Sequence, residues 1–241
     1  MLRVVVSGGS RGIGRAIVER LCGDGYEVHF LYRCRDDAAD DVVRTVSVAG
    51  GRVVAHRCDV TDAAAVDAVA GKLAEDGIWA LVNNAAVLRD GHFLLMDEGR
   101  WEIVVSTVLT AAYRLTRTFL RPMLNAGAGR IVNIGSLAGL VGQAGQANYA
   151  AAKGGLHSFA KALAREVGKY GVTVNSVVPG WIDTDLVSSL SETRRERARA
   201  SVPLGRFGTP AEVAAVVSFL LSDVASYLTG VTLRVDGGLG C

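Results

Sequence analysis

Seven short runs of apolar and β-branched residues punctuate the chain, at residues 3–7, 27–32, 52–56, 80–83, 130–135, 172–178 and 231–235. Between them lie longer stretches with helical spacing, such as Val66, Val69, Ala70 and Leu73. Strands that alternate with helices form βαβ units. These require right-handed crossovers and a parallel sheet covered on both faces. The unbroken apolar character of Val4, Val5 and Val6, and of the run from Val174 to Val178, suits strands buried on both sides. The expected architecture is therefore α/β: a single Rossmann-type, doubly wound, seven-stranded parallel sheet spanning residues 1–241. No Pro-, Gly- or Ser-rich linker, low-complexity run or internal repeat divides it. The one break in the alternation is residues 180–209, rich in Asp, Ser, Arg and Glu. A long excursion inside a compact domain reads as a substrate loop or lid. The mixed-sign run Thr193-Arg194-Arg195-Glu196-Arg197-Ala198-Arg199 within it reads as a solvated helix face.

Composition excludes several classes. The net charge is +2, too small to imply a nucleic-acid or membrane partner. No apolar run approaches the roughly 18 residues that span a bilayer. The chain enters its first strand directly, without a signal-peptide layout, so cytoplasm is the expectation. Cys22, Cys34, Cys58 and Cys241 match no metal or redox spacing and read as free thiols.

The first run leads into Ser7-Gly8-Gly9-Ser10-Arg11-Gly12-Ile13-Gly14, and a helical pattern follows. Glycines at 8, 12 and 14 allow a tight turn and a close approach to a pyrophosphate. The helix start supplies free N–H groups and a favourable dipole for that anion. The second run ends Tyr32-Arg33 with no carboxylate at its tip. An acidic residue there would favour NAD. Arg33 and Arg11 instead suit a 2′-phosphate, so the expected cofactor is NADPH (NADP+). At the next strand ends, Asp59 followed by Val60 is placed for the adenine, and Asn83 followed by Ala85 for the ribose. Asp59 and Asn83 equally suit turns and caps.

The fifth run ends at Ser136, and thirteen residues later comes Tyr149-Ala150-Ala151-Ala152-Lys153. Tyr149 and Lys153, four apart, share one helix face. An ammonium beside the phenol should lower its pKa from about 10 toward working pH. Tyr149 could then serve as general acid to a ketone oxygen, with Ser136 stabilising the developing charge.

With these residues in view, the sequence resembles the short-chain dehydrogenase/reductase family, most nearly its β-ketoacyl-carrier-protein reductases and related polyketide ketoreductases. The resemblance covers essentially the whole chain. It rests on SGGSRGIG at 7–14, CDVTD at 58–62, NNA at 83–85, GRIVNIGS at 129–136, GQANYAAAKGGL at 145–156, VPGWIDTDL at 178–186 and GVTLRVDGG at 230–238. It implies that Lys153 also grips the nicotinamide ribose, and that Pro179 and Gly180 shape the nicotinamide pocket. Ile182 and Thr184 would contact the carboxamide. It implies a homotetramer, and a ketone substrate carried on an acyl carrier protein.

Three departures qualify the resemblance. Residue 86 is Ala where the family has Gly. Val108 stands where the family has an asparagine that anchors a water in a proton relay. Ser106, Thr107 and Thr110 are the candidates to rebuild it. The positions of the family's carrier-docking arginines hold Gly127 and Tyr170, with Lys169, Arg130 or Arg121 as substitutes. His157, one turn after Lys153, reads as packing or interface, and His92 as part of a solvated loop. The resulting reading is NADPH-dependent reduction of a β-ketoacyl thioester. Reduction of a free or aromatic polyketide ketone is one alternative. A catalytically weak NADP-binding partner subunit is another.

Overall fold

The computed structural model describes residues 1–241, apart from the side chain of Leu186. Seven strands form one sheet: β1 (Arg3–Ser7), β2 (Glu27–Tyr32), β3 (Arg52–Arg57), β4 (Ala80–Asn83), β5 (Gly129–Ile134), β6 (Val172–Pro179) and β7 (Thr232–Val235). Their order is β3-β2-β1-β4-β5-β6-β7, and every pairing is parallel. The expected doubly wound sheet is thus observed, with strand ends within two residues of expectation. Chain order reverses between β1 and β4, and in such sheets ligands bind beyond the strand carboxyl ends at that switch point.

Helices α1 (Gly12–Gly23) and α2 (Asp36–Val48) start the covering of one face. On the other face lie α3 (Ala63–Glu75), α4 (Glu98–Val105) and α5 (Ala111–Ala126), the last two joined by a π-helical turn at Ser106–Thr110. A short α6 (Ala138–Val141) precedes α7 (Ala147–Val167) on this second face. Residues 180–209 hold α8 (Asp185–Ser188) and α9 (Glu192–Ala200). Finally α10 (Pro210–Leu221) returns to the first face, packing on α1. The core accordingly has two layers. Val4, Val6, Ile17, Val42, Val132 and Val217 belong to one, and Val5, Leu81, Leu115, Phe119, Ile131 and Val174 to the other. Val4, Val5 and Val6 are wholly buried, as a strand covered on both faces requires. No described helix is long and apolar enough to cross a membrane.

The excursion at 180–209 is closed at its base. Gly208 N donates to the Trp181 carbonyl at 2.9 Å, and Asp183 N to the Gly208 carbonyl at 2.8 Å. Its arginine-rich helix α9 buries Ala198 and leaves Arg194, Arg197 and Arg199 exposed. Arg199 pairs with Glu196 at 3.0 Å, as expected of a solvated face. Thr209 and Glu212 then form a capping box that starts α10.

The tightest packing lies where β1 turns into α1. A Cβ on Gly14 would sit 2.0 Å from the Gly8 carbonyl oxygen and 2.5 Å from the Asn84 amide nitrogen. Gly8 and Gly12 have φ of 71° and 55°, the left-handed region that other residues avoid. Gly14→Ala forces backbone apart, and such overpacking costs about 1–3 kcal/mol. Thermal denaturation should show the loss, and a wild-type Tm would refute the contact.

Candidate active site

The glycine turn is organised by side chains from the neighbouring strand end. The Asn84 amide donates to the carbonyls of Ser7 and Gly8, both at 3.0 Å. The Ser7 hydroxyl accepts from Asn84 N at 3.0 Å and Ala85 N at 3.1 Å. Sequence reasoning passed over Asn84, although an asparagine just beyond a parallel strand is well suited to bind exposed carbonyls. The opening residue of α1 has no side-chain cap: Arg11 is extended and makes no capping bond. The first-turn N–H groups therefore have no side-chain acceptor, and face the turn made by Gly8, Gly9 and Ser10. Thr184 lies beside it, 3.6 Å from where a Gly12 Cβ would be, so the 180–209 excursion returns to the turn. These features fit a dinucleotide pyrophosphate: a cradle without Cβ atoms, free donors and a helix start.

The flanking charges sort themselves. Arg35 is held by Asp37 at 2.9 and 2.8 Å, and Asp36 lies 3.4 Å from Arg57. Among the described residues, Arg33 and Arg11 are exposed and have no ion pair. Asp59 receives both the amide and hydroxyl of Thr61 on its Oδ1, at 2.9 and 2.7 Å, which leaves its other oxygen free. Val60 is buried beside it. The Asn83 amide nitrogen is spent inside the fold, donating to Asn133 at 2.9 Å and Thr116 at 3.2 Å, while its oxygen has no protein partner; the residue is 4% exposed. That geometry gives it a structural link across β4, β5 and α5 rather than a side-chain contact with a ribose. Ala86 is exposed, so its methyl meets no obstacle.

Ser136, Tyr149 and Lys153 come together at the end of β5. The Tyr149 ring is partly exposed, and the Ser136 hydroxyl lies near enough to its phenol to ease ionisation. Behind them the Lys153 ammonium donates to the Ile134 carbonyl at 2.5 Å and lies 5.6 Å from the Tyr149 ring centre. The start of α7 is pinned by Asn148, wholly buried. Its amide donates to the carbonyls of Arg89 and Arg100, both at 3.1 Å, and its oxygen accepts from Tyr149 N at 2.8 Å. A Cβ on Gly139 would lie 2.7 Å from α7 backbone at Lys153 and Gly154, so only glycine lets the Ser136 loop settle on that helix. Asn148 and Gly139 were missed from sequence, where neither type stands out. Pro179 ends β6 and its carbonyl accepts from Leu137 N at 3.4 Å. Gly180 N donates to Val235 at 3.0 Å. Ile182 is buried in the core beside this end.

The charges differ from expectation. Burial pushes the Tyr149 phenol up to about 12, opposed by the Ser136 hydroxyl. Burial also pulls Lys153 down to about 7. The lysine does not lower the phenol in this state: desolvation is the largest effect on each group, and Lys153 faces the Ile134 carbonyl. Other expectations are corrected too. Arg130 cannot dock a partner: it is 5% exposed and stacked on Trp79 at 4.8 Å. Thr107 donates its hydroxyl proton to the Ile103 carbonyl at 2.7 Å, so it could join a relay only as an acceptor. Ser106 lines an outer groove with Glu98, Trp101, Glu102 and Val105. Val108 is 2% exposed, packed with Val104, Ala112, Ala152 and Leu156, against which Tyr149 also lies.

The depressed lysine has a thermodynamic consequence. The native state releases the Lys153 proton near pH 7, whereas the unfolded chain keeps it to about pH 10.5. Between those values the unfolded state binds more protons, so this group makes stability rise with pH, and below the window its full penalty remains. Lys153→Met should flatten that rise in denaturant midpoints compared at about pH 6.5 and about pH 9. An unchanged pH slope would show that Lys153 titrates normally.

Comparison with known proteins agrees with this geometry. The family described as Enoyl-(acyl carrier protein) reductase matches residues 8–240. The chain is 43% identical over 237 residues to the 3-oxoacyl-[acyl-carrier-protein] reductase FabG of Salmonella typhimurium strain LT2, covering 98% of this chain and 96% of the relative. The Escherichia coli K12 protein of that name shows the same identity and coverage. That of Pseudomonas aeruginosa is 44% identical over 239 residues, again covering 98% and 96%. Glycine turn, strand-end serine, tyrosine–lysine helix and near full-length similarity lead to one assignment: the chain belongs to the short-chain dehydrogenase/reductase family, oxidoreductases that work with a nicotinamide cofactor.

Proposed function

We propose that this protein reduces the ketone of a β-ketoacyl thioester carried on an acyl carrier protein, with NADPH as the reductant. The observation that carries the reading is that Lys153, bonded to the Ile134 carbonyl at the end of β5 just before Ser136, lies 5.6 Å from the Tyr149 ring one turn earlier on α7. The bound cofactor supplies hydride to the carbonyl carbon. Tyr149 gives its proton to the carbonyl oxygen, and its high pKa keeps it protonated for that task at neutral pH. Ser136 donates a hydrogen bond to the same oxygen as charge builds there. Lys153 lies where its ammonium can stabilise the phenolate that remains.

Gly8, Ser10, Gly12, Ile13 and Gly14 would hold the pyrophosphate at the α1 start, and Asp59 and Val60 the adenine. Ala85 borders the ribose. Arg11 and Arg33 take the 2′-phosphate, which their lack of ion-pair partners supports. Pro179, Gly180, Ile182 and Thr184 border the nicotinamide, with residues 180–209 as the substrate lid. Lys169 and Arg121, both exposed, are the remaining cations suited to an acidic carrier. Assembly into a homotetramer accords with the family, with α7 and β7 at the subunit contacts.

The matched family and the relatives carry different printed reactions, C=C and C=O reduction. An acetoacetyl thioester and a crotonyl thioester, each with NADPH consumption followed by absorbance, separate them. Turnover of the first and not the second is expected, and Tyr149→Phe should lose on the order of 100-fold or more in kcat. Crotonyl turnover alone would reverse the assignment. Absence of turnover in the wild type with a gain in Val108→Asn would favour a weak NADP-binding partner subunit. Activity on free polyketide ketones alone would favour the unattached substrate.

Cofactor choice has its own test. Removing a charged hydrogen-bond partner of the 2′-phosphate costs about 1.5–3 kcal/mol. Arg33→Ala should therefore weaken NADPH binding on the order of 10- to 100-fold while leaving NADH binding nearly unchanged. Equal effects on both would remove Arg33 from the phosphate site.

A further inference from the structure

His157 occupies an unusual place. It follows Tyr149 and Lys153 on α7 at the same four-residue spacing, so the three share one face, with neighbouring Cβ atoms about 5–6 Å apart. Its ring is 4% exposed and lies on Gly135, the residue between the Ile134 carbonyl that holds Lys153 and the Ser136 hydroxyl. A Cβ at Gly135 would fall 2.2 Å from His157 Cε1. Position 135 is thus a glycine because the imidazole takes that space.

Both ring nitrogens are buried without a hydrogen-bond partner. So are Asn133 Nδ2, Ser176 Oγ and Asn83 Oδ1. The sheet register makes these neighbours: Asn83 stands opposite Asn133, and Asn133 opposite Ser176. Gly135 is two residues beyond Asn133, on the same face. Unsatisfied polar atoms on three adjacent strands therefore share the sheet face that α7 covers, and Gly135, under the ring, continues that face. Buried polar atoms without protein partners are normally bonded to internal water, which needs two to four such partners.

Lys153 itself is 2% exposed. Toward α4 and α5, its helix packs Ala152 and Leu156 on Val104, Val108 and Ala112, none of which can supply or accept a proton. Every proton that Lys153 passes to the Tyr149 phenolate must be replaced before the next turnover. The ionisable side chain one turn away on its own helix face is His157. We propose that His157 is a positioning residue for Lys153: with internal water held against Asn133 and Ser176, it returns a proton to the lysine amine after each reduction.

The step balances. Lys153 gives its proton to the phenolate and becomes a neutral amine. His157 releases the N–H proton of one nitrogen through water to that amine, while its other nitrogen accepts a proton from the water row. The ring ends neutral in the other tautomer, the net proton comes from solvent exchanged into the row, and a turn of the ring about its Cβ–Cγ bond brings the N–H back to the lysine side before the next turnover. Such a relay needs a neutral ring. Burial lowers the His157 pKa, the nearby Ser136 carbonyl opposes this short of hydrogen-bond geometry, and Lys153 and Lys161 reinforce it. Those two lysines, both on α7, are the charged groups acting on the ring; the residues of β5 and β6 beneath it, Asn133, Gly135, Ser176 and Val178, carry none.

The proposal rests on the carbonyl-reduction reading, and rapid-mixing kinetics separate the two. The first turnover of NADPH with acetoacetyl thioester reports hydride and proton transfer; the steady state reports recharging. In His157→Leu the ratio of first-turnover rate to steady-state rate should rise about tenfold, with a larger solvent deuterium isotope effect on the steady state and unchanged KM for the thioester. His157→Gln, which can still hold water but cannot exchange tautomers, should show the same rise, and it stands in if the leucine variant does not fold. Both rates falling together, or neither changing, would reduce His157 to a packing residue and overturn the proposal. No first turnover in the wild type would overturn the reduction reading, and this inference with it.

Discussion

Everything at the nucleotide end depends on the approach of Gly14 to the Gly8 carbonyl, under the amide of Asn84. That approach lets α1 start directly over the sheet, so its free N–H groups open on the gap between β1 and β4. The clamp spans two strands that are adjacent in space and far apart in sequence. Asn84 closes it by satisfying two carbonyls that the left-handed turn would otherwise leave bare. The same residue thus stabilises the fold at its switch point and fixes the shape of the anion cradle. Ser7, which accepts the amides of Asn84 and Ala85, doubles the connection.

The second end is governed by burial rather than by pairing. Tyr149 and Lys153 are each moved toward their neutral forms, the phenol upward and the amine downward. A simple charge-pair argument reaches the opposite sign for tyrosine, because it omits the loss of water around both groups. For a reductase that sign is useful: a phenol that stays protonated is ready to donate. The ionised pair becomes favourable only as charge appears on the substrate oxygen, so the interaction strengthens along the reaction rather than before it.

Much of this was legible in the sequence. The period of apolar runs specified a parallel sheet, because a strand buried on both faces cannot tolerate alternation with charge. The glycines were legible because few other roles require three of them at a strand-to-helix turn. Asn148 and Gly139 were not. Their tasks depend on what meets them in space: the carbonyls of Arg89 and Arg100 in one case and the α7 backbone in the other. Arg130 misled for the same reason. A basic residue near the predicted site mouth looked available for docking, yet as the second residue of β5 it points onto Trp79 and is buried there.

Val108 shows how one departure can redirect polarity within a site. It sits in the π-helical turn between α4 and α5, a backbone irregularity common at functional sites. Here the turn faces the site with an apolar surface, for Val108 joins Val104, Ala112, Ala152 and Leu156 against Tyr149. Of the candidate hydroxyls, Thr107 is bonded to its own helix and Ser106 lines an outer groove, which leaves Thr110 as the one whose hydroxyl is not so engaged. Unsatisfied polar character lies instead on the far side of Lys153, toward the sheet, at His157, Asn133 and Ser176. A dry wall on one side of the lysine and an unsatisfied polar row on the other make the site asymmetric. That asymmetry is built from side chains on α5, α7, β5 and β6 whose own positions are set by the sheet. The sheet therefore does more than bring Ser136 to Tyr149: its register determines on which side of Lys153 water can be held.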